Sequence, residues 1–159
     1  MFGFKETEKV VLLAAGLILG HAAQAAGTVS PSGSNGNNYK PGAMYVPGDS
    51  GPQGGKVYYV DDSGEHGLEA KAADETNSLI WSDAVTAASA YGSGWHLPTK
   101  TELKMLYEQK NVVSGFAKDD YWSATELDSN SAWIQGFVNG DQDRYNKYSK
   151  LSVRAVRAF

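Results

Sequence analysis

Residues 132–139 alternate with a period of two, in the order Ala-Trp-Ile-Gln-Gly-Phe-Val-Asn. This pattern predicts a β-strand, because successive side chains of a strand point to opposite faces of its sheet. Trp133 and Phe137 lie on one predicted face, and we assign that face to the core since it carries the large aromatic rings. The opposite face is then expected to point to solvent, and its members are Ala132, Ile134, Gly136 and Val138.

Similar patterns predict further strands. Residues 56–61 are β-branched and aromatic and are followed by a Gly-containing turn, so they are expected to pair with residues 67–72 as a hairpin. Residues 111–120 show no period and are interpreted as a loop. The remaining predicted strands lie near residues 121–125, 144–149 and 152–158.

Two short helices are predicted between these strands. A Ser-Asp pair at 82–83 is the candidate N-cap of a helix over residues 84–90. Thr99 and Glu102 have the spacing of a capping box, which predicts a helix over residues 100–109. The resulting class is α+β, with two helices packed on a small, mostly antiparallel sheet.

The first part of the chain has the pattern of an export signal and a tether. Residues 10–20 are an unbroken apolar and small run, and Ala25 provides a small residue before a cleavage site, so residues 1–25 are interpreted as a signal peptide. A prepilin-like leader is the alternative, with Glu8 at the fifth position after its cut. Residues 26–53 are rich in Gly, Ser, Asn and Pro and predict a flexible linker, which leaves 54–159 as the folded domain.

Composition narrows the possible functions. The chain contains no cysteine, which excludes disulfides, thiolate metal sites and cysteine nucleophiles. Its net charge of −4 gives no reason to expect a nucleic acid or an anionic membrane as partner. His66 and His96 are isolated and lack the spacing of metal ligands, so we expect no catalytic residue, no metal and no cofactor.

Several motifs recur together in one known family. They are Gly-Lys-Val-Tyr-Tyr-Val near the start of the domain, Gly-Trp-His-Leu-Pro-Thr-Lys-Thr-Glu-Leu at 94–103, Tyr-Trp-Ser-Ala-Thr-Glu at 121–126 and Val-Arg-Ala-Val-Arg at 153–157. Residues 54–159 thereby resemble the C-terminal domain of Legionella collagen-like (Lcl) adhesins. That resemblance implies a C-type-lectin-like fold whose last strands carry a binding face, and it makes a homotrimer possible. Relatives of this fold that generate formylglycine work through cysteines, and calcium-dependent lectins use a Glu-Pro-Asn or Gln-Pro-Asp run with a Trp-Asn-Asp strand. This sequence contains none of these, so we expect neither activity.

Residues 121–159 also resemble the variable region of proteins that are diversified by retroelements, many of which end in a similar Val-Arg-Ala-Val-Arg-Ala-Phe. Such systems mutate the adenines of a template, and mutated Asn codons cannot encode Lys, Glu, Gln, Met or Trp. The positions that obey this rule are the predicted ligand-binding residues: Leu127, Asp128, Ile134, Gly136, Val138, Asp141, Asp143, Arg144, Tyr145, Tyr148, Ser149, Leu151 and Ser152.

Between these positions we expect a fixed structural frame. Glu126 is interpreted in it as a buried anchor for one of two arginines. The frame residues are Trp95, Trp122, Glu126, Trp133, Phe137, Arg154 and Arg157.

The resulting hypothesis is an exported, non-enzymatic, receptor- or adhesin-type protein that binds protein or glycan targets on another cell or surface. Its outward Tyr145 and Tyr148 match the composition of natural binding surfaces, in which tyrosine gives contact area at a low entropy cost. The alternative is an adhesin of fixed sequence that binds sulfated glycans through Arg144, Lys147 and Lys150.

Overall fold

The computed structural model describes residues 42–159, so the predicted signal peptide and most of the predicted linker lie outside the described residues. The predicted α+β class is confirmed by helices combined with antiparallel strands. The helices are α1 (Trp81–Ser89), α2 (Lys100–Glu108) and α3 (Lys110–Val113). The strands are β1 (Lys56–Val60), β2 (Gly67–Ala70), β3 (Asp120–Glu126), β4 (Ser131–Gly136), β5 (Gln142–Asn146) and β6 (Val156–Ala158).

The strands form two three-stranded antiparallel sheets, with orders β1-β2-β6 and β3-β4-β5. The predicted hairpin is the β1–β2 pair. Residues 152–158 were expected to be one strand, but only their last part pairs with β2. Just before it, Ser152 instead forms a parallel bridge with Tyr121 of β3, and Leu151 forms an antiparallel bridge with Leu79.

The helix boundaries follow the local capping chemistry. The capping box that begins α2 is confirmed, since Thr99 accepts from the Glu102 amide and Glu102 accepts from the Thr99 amide. The prediction that α1 is capped by the Ser-Asp pair at 82–83 is wrong, because Ala84 already donates to the Ile80 carbonyl. The single turn α3 lies in the predicted loop and buries Val113.

β3 contributes side chains to both hydrophobic clusters of the core. Trp122 points to the cluster beneath α1, together with Ala84, Ala88, Ile134 and Leu151. Its neighbour Tyr121 points to the opposite cluster, beneath α2, which contains Tyr58, Leu103, Leu106 and Phe137. The sheet β3-β4-β5 is therefore covered on both faces over much of its area.

Residues 44–53, which belong to the predicted linker, pack on the domain. Tyr45 is buried, and its ring lies edge-on against Phe159 with the centroids 4.9 Å apart. The Gly48 amide donates to the Val57 carbonyl, and the Val57 amide donates to the Asp49 carbonyl. This segment therefore covers the outer edge of β1.

His96 and Glu102 form a titratable pair at the start of α2. The His96 Nε2 lies 3.2 Å from a Glu102 carboxylate oxygen. The hydrogen bond to Glu102 is the main cause that raises the pKa of His96, against the opposing effect of burial. Burial alone would raise the pKa of Glu102, but the hydrogen bonds from His96 and Thr99 lower it overall.

We expect this pair to stabilise the fold most between the two pKa values. A raised histidine pKa contributes stability that is present below about pH 6.5 and is lost as the pH rises through the folded-state value. A lowered glutamate pKa contributes stability above about pH 4.3 that is lost as the pH falls through its folded-state value. Urea unfolding of the wild type and His96→Gln should therefore show a wild-type advantage at pH 5.5 that shrinks by pH 8.5, with a total below about 1 kcal/mol. An advantage that grows with pH would contradict this assignment.

Candidate ligand-binding face

The predicted binding positions divide by exposure into three groups. Eight of them are exposed, and Ser149 and Ser152 are half-buried. Ile134, Gly136 and Leu151 are buried. The prediction that Ile134 and Gly136 point outward is therefore wrong, and Leu151 is not exposed at the predicted binding face. The exposed set is Leu127, Asp128, Val138, Asp141, Asp143, Arg144, Tyr145 and Tyr148.

The assignment of the faces of β4 was wrong because both of its faces are largely covered. Ile134 and Ala132 pack into the cluster beneath α1, whereas Phe137 packs into the cluster beneath α2. Trp133, in the central strand, is only half-buried, and the Lys100 ammonium lies 3.1 Å from its ring centroid. The size of the aromatic side chains therefore did not identify the buried face.

The other two buried positions have equally local reasons. A Cβ atom on Gly136 would lie 2.4 Å from the Asn139 Oδ1, so a larger residue there would require the Asn139 side chain to move. Leu151 forms reciprocal backbone hydrogen bonds with Leu79 and packs beneath α1. Neither position offers a side chain to a ligand.

The predicted role of Glu126 is also wrong. Glu126 is exposed and pairs with the Lys147 ammonium, which further donates to the carbonyls of Asp128 and Ser129. These bonds hold the turn between β3 and β4 against the end of β5. The partner of Arg154 is instead Asp74, at 2.7 Å from Nε to the carboxylate.

The buried frame residues Trp95, Trp122, Phe137 and Arg154 lie inside the domain, and Arg157 is half-buried. Arg157 sits opposite Glu69 across the β2–β6 pair. Burial raises the pKa of Glu69, against the lowering effect of the Gly55 and Gln53 amides and of Arg157. This carboxylate was missed by the sequence analysis because residue 69 is one acidic residue within an otherwise ordinary strand.

Four of the ten large hydrophobic side chains that are exposed within residues 42–159 lie in the segment from Leu127 to Tyr148. The exposed fractions are 43% for Leu127, 67% for Val138, 44% for Tyr145 and 77% for Tyr148. The Tyr145 ring also contacts the buried Trp122 ring, at a centroid distance of 6.5 Å. Tyr145 is thus braced against the core on one side and open to solvent on the other.

Charges around these side chains are unevenly distributed. Asp120 pairs with Gly136 and Asp143 pairs with Ile134. Gly136 and Ile134 lie on the same face of β4, so Asp120 and Asp143 share one side of the sheet. Burial, followed by the negative charges of Asp119 and Asp143, raises the pKa of Asp120. Arg144, on the opposite face of β5, is exposed.

No group of three or more His, Asp or Glu side chains within residues 42–159 is arranged to hold a metal ion. The helices of that same range all lack the length and apolar character needed to cross a membrane.

The chain is similar to one protein family and to solved structures. No curated protein matches it. Among solved structures, it is similar to the snake venom toxin convulxin, with 11% sequence identity and a TM-score of 0.42, over 65% of this chain and 93% of that one. The family model of the Lcl C-terminal domain matches residues 60–157, which is more than half of the sequence. The chain therefore belongs to the Lcl C-terminal domain family, as its motifs indicated.

Proposed function

We propose that this protein is an exported, non-enzymatic ligand-binding protein of the receptor or adhesin type. Its recognition face comprises the eight exposed positions between Leu127 and Tyr148, which include side chains on both sides of the outer strand β5, and its ligand is a protein on another cell or surface. The observation that carries this proposal is the exposure of Tyr145 and Tyr148 in a segment held to the core by Trp122 and by Lys147. Exposed tyrosines on a rigid support are typical of protein-binding hot spots.

We further propose that a retroelement diversifies this face. Substitution of an exposed side chain usually changes the free energy of unfolding by no more than about 0.5 kcal/mol, so the eight exposed positions tolerate many residue types. The supporting bonds use other atoms: Lys147 binds backbone carbonyls, and the Ser123 hydroxyl donates to the Trp133 carbonyl. Variation at the exposed positions leaves these bonds intact.

Sequencing of the gene's 3′ end and the DNA downstream tests diversification. The expected result is a near-copy of the codons for residues 121–159 that differs only where the copy has adenine. The amino-acid differences should concentrate at the eight exposed positions. Absence of such a repeat would refute diversification and leave the ligand-binding role to be tested separately.

The ligand-binding role predicts a large effect of the two exposed tyrosines. With a protein ligand selected on the full-length chain, Tyr145→Ala combined with Tyr148→Ala should raise Kd by about a hundredfold or more, since a hot-spot side chain contributes roughly 2 kcal/mol or more. Tyr59→Ala is the matched control, because Tyr59 is 37% exposed but lies on the other sheet. Calorimetric titration measures both variants, and an equal loss in the control would contradict the assignment.

The fixed sulfated-glycan adhesin has weaker support. It requires free cations at Arg144, Lys147 and Lys150, but the Lys147 ammonium is bonded to Glu126 and two carbonyls, and its side chain is only 12% exposed. Heparin retention that falls steeply with salt and depends on Arg144 and Lys150 would favour this alternative.

A further inference from the structure

β5 has a free outer edge. The Gly136 amide donates to the Asp141 carbonyl, and the Lys147 amide donates to the Asn130 carbonyl, in the same register. Because hydrogen-bonded pairs alternate along an antiparallel ladder, the main-chain groups of 142, 144 and 146 point away from β4. β5 is the last strand of its sheet, so no strand within residues 42–159 lies on that side.

Main-chain hydrogen bonds from neighbouring segments cover the other sheet edges. β1 is bonded by residues 48–49, and β6 is bonded by His96. At the β3 edge, the Trp122 amide donates to Ser152 and the Ala124 amide donates to Pro98. β5 is the exception in the described part of the chain, and four of its five residues are exposed.

Local features keep this edge from pairing indiscriminately. Asp143 accepts a hydrogen bond from the outward Arg144 amide at 2.7 Å, and the Asn146 carbonyl accepts from the Ser149 amide. Charged residues on an edge strand oppose pairing with unselected chains. A partner strand must therefore compensate the charges of Asp143 and Arg144 before it can use the main-chain groups.

We propose that β5 takes up an extended segment of the protein ligand as an additional strand of the sheet. Charge complementarity defines the occupant. On the face shared by Asp143 and Tyr145, the added strand carries a basic residue beside an aromatic or aliphatic one, and on the face of Arg144 it carries an acidic residue. The inference rests on the proposed function and specifies its partner as an alternating, amphipathic, extended segment.

Strand addition suits a face whose side chains vary. The outward main-chain groups of β5 are present whatever side chains occupy its exposed positions, and only the Arg144 amide depends on whether residue 143 accepts its hydrogen bond. They therefore give the variants a shared main-chain contribution to binding. The side chains then select among extended segments through pockets and charges at alternate positions. Diversification of such a face alters specificity without abolishing binding.

Hydrogen exchange at alternate amides tests the proposal directly. The probe is the tightest peptide selected on the full-length chain from a displayed library of random eight-residue peptides. The amides of Gln142 and Asn146 are expected to exchange rapidly in the free protein and at least tenfold more slowly with the peptide bound. Tight binding that leaves both amides unprotected, or a failure to select any peptide, would overturn strand addition.

A proline at the edge separates main-chain pairing from side-chain contact. Arg144→Pro removes an outward amide and places a ring there, but leaves the bonds to β4 in place, since edge strands accept proline where the amide faces solvent. The control is Arg144→Ala, which removes the side chain but keeps the main-chain amide. We expect Arg144→Pro to bind the peptide at least about tenfold more weakly than Arg144→Ala, with the same near-ultraviolet circular dichroism.

Different results would refute the proposed recognition face and the proposed strand addition. If the tyrosine double variant loses binding but Arg144→Pro equals Arg144→Ala, the recognition face stands and strand addition is wrong. If the double variant binds as well as the wild type does, the proposed recognition face itself is wrong.

Discussion

Replacement of Arg154 by methionine is expected to destabilise the domain by about 3–5 kcal/mol, because it leaves the Asp74 charge without its partner. The Arg154 side chain is fully buried, and its Nε donates to Asp74 at 2.7 Å. The remaining guanidinium nitrogens donate to the carbonyls of Lys71 and Gly115 at 2.9 and 2.6 Å. One side chain therefore ties together three segments that are distant in sequence.

Asp74 extends this network to the core of the second sheet. Its carboxylate accepts a hydrogen bond from the Tyr121 hydroxyl, which itself accepts from the Ala117 amide. Arg154 also stacks over the Phe116 ring at 4.0 Å. Loss of Arg154 removes the cation that makes a half-buried carboxylate tolerable at this point, so we expect the connection between β3 and residues 114–117 to loosen first.

Urea unfolding at pH 7 measures the effect. Arg144→Met is the matched control, because Arg144 is exposed, and it should change the unfolding free energy by no more than about 0.5 kcal/mol. The double variant Arg154→Met with Asp74→Leu should be more stable than the sum of the single effects predicts, since neither charge is then left unpaired. A loss below about 1 kcal/mol in Arg154→Met would show that water reaches Asp74 and that the pair is not structural.

Local chemistry explains what the sequence could predict about this fold. The capping box at Thr99 and Glu102 requires only residues three apart, and the β1–β2 hairpin requires only a turn between two β-forming runs. Both features are decided within a short stretch of chain. The family motifs then indicated a resemblance over residues 54–159, and the family model confirms it over residues 60–157.

Contacts between distant segments were not predictable in the same way. Asp74 and Arg154 are 80 positions apart, and nothing in the sequence near Asp74 distinguishes it from an exposed turn residue. Glu126 was predicted as the partner of an arginine because it belongs to the motif at 121–126. It is the last residue of β3, however, and its side chain is exposed. Pairing of buried charges depends on topology, which sequence patterns alone did not resolve.

The candidate face was partly predictable for a related reason. The polar stretch that contains β5 is exposed as expected, because it forms an edge strand with little packed against it. β4 is central in its sheet and is packed on both sides, so its alternating pattern does not separate an inner face from an outer one. The wrong assignment of Ile134 to an outward face results from this central position of β4.

Ile134 provides the strongest test of where variation can occur. Ile134→Asn is expected to destabilise the domain by about 3–5 kcal/mol, because it leaves a cavity beneath α1 and buries an amide in an apolar cluster. Ile134 is 5% exposed, whereas Val138, four residues later, is 67% exposed. Val138→Asn introduces the same amide and should change the unfolding free energy by no more than about 0.5 kcal/mol.

The comparison of these two variants distinguishes two hypotheses about which positions of residues 121–159 can vary. Under the sequence-based account both positions are outward, so both substitutions would be tolerated and both codons would be free to vary. Under the structural account only Val138 is free, and a template adenine at codon 134 would generate chains that fail to fold. Urea unfolding of the two asparagine variants distinguishes these cases, and equal stability of both would return Ile134 to the recognition face.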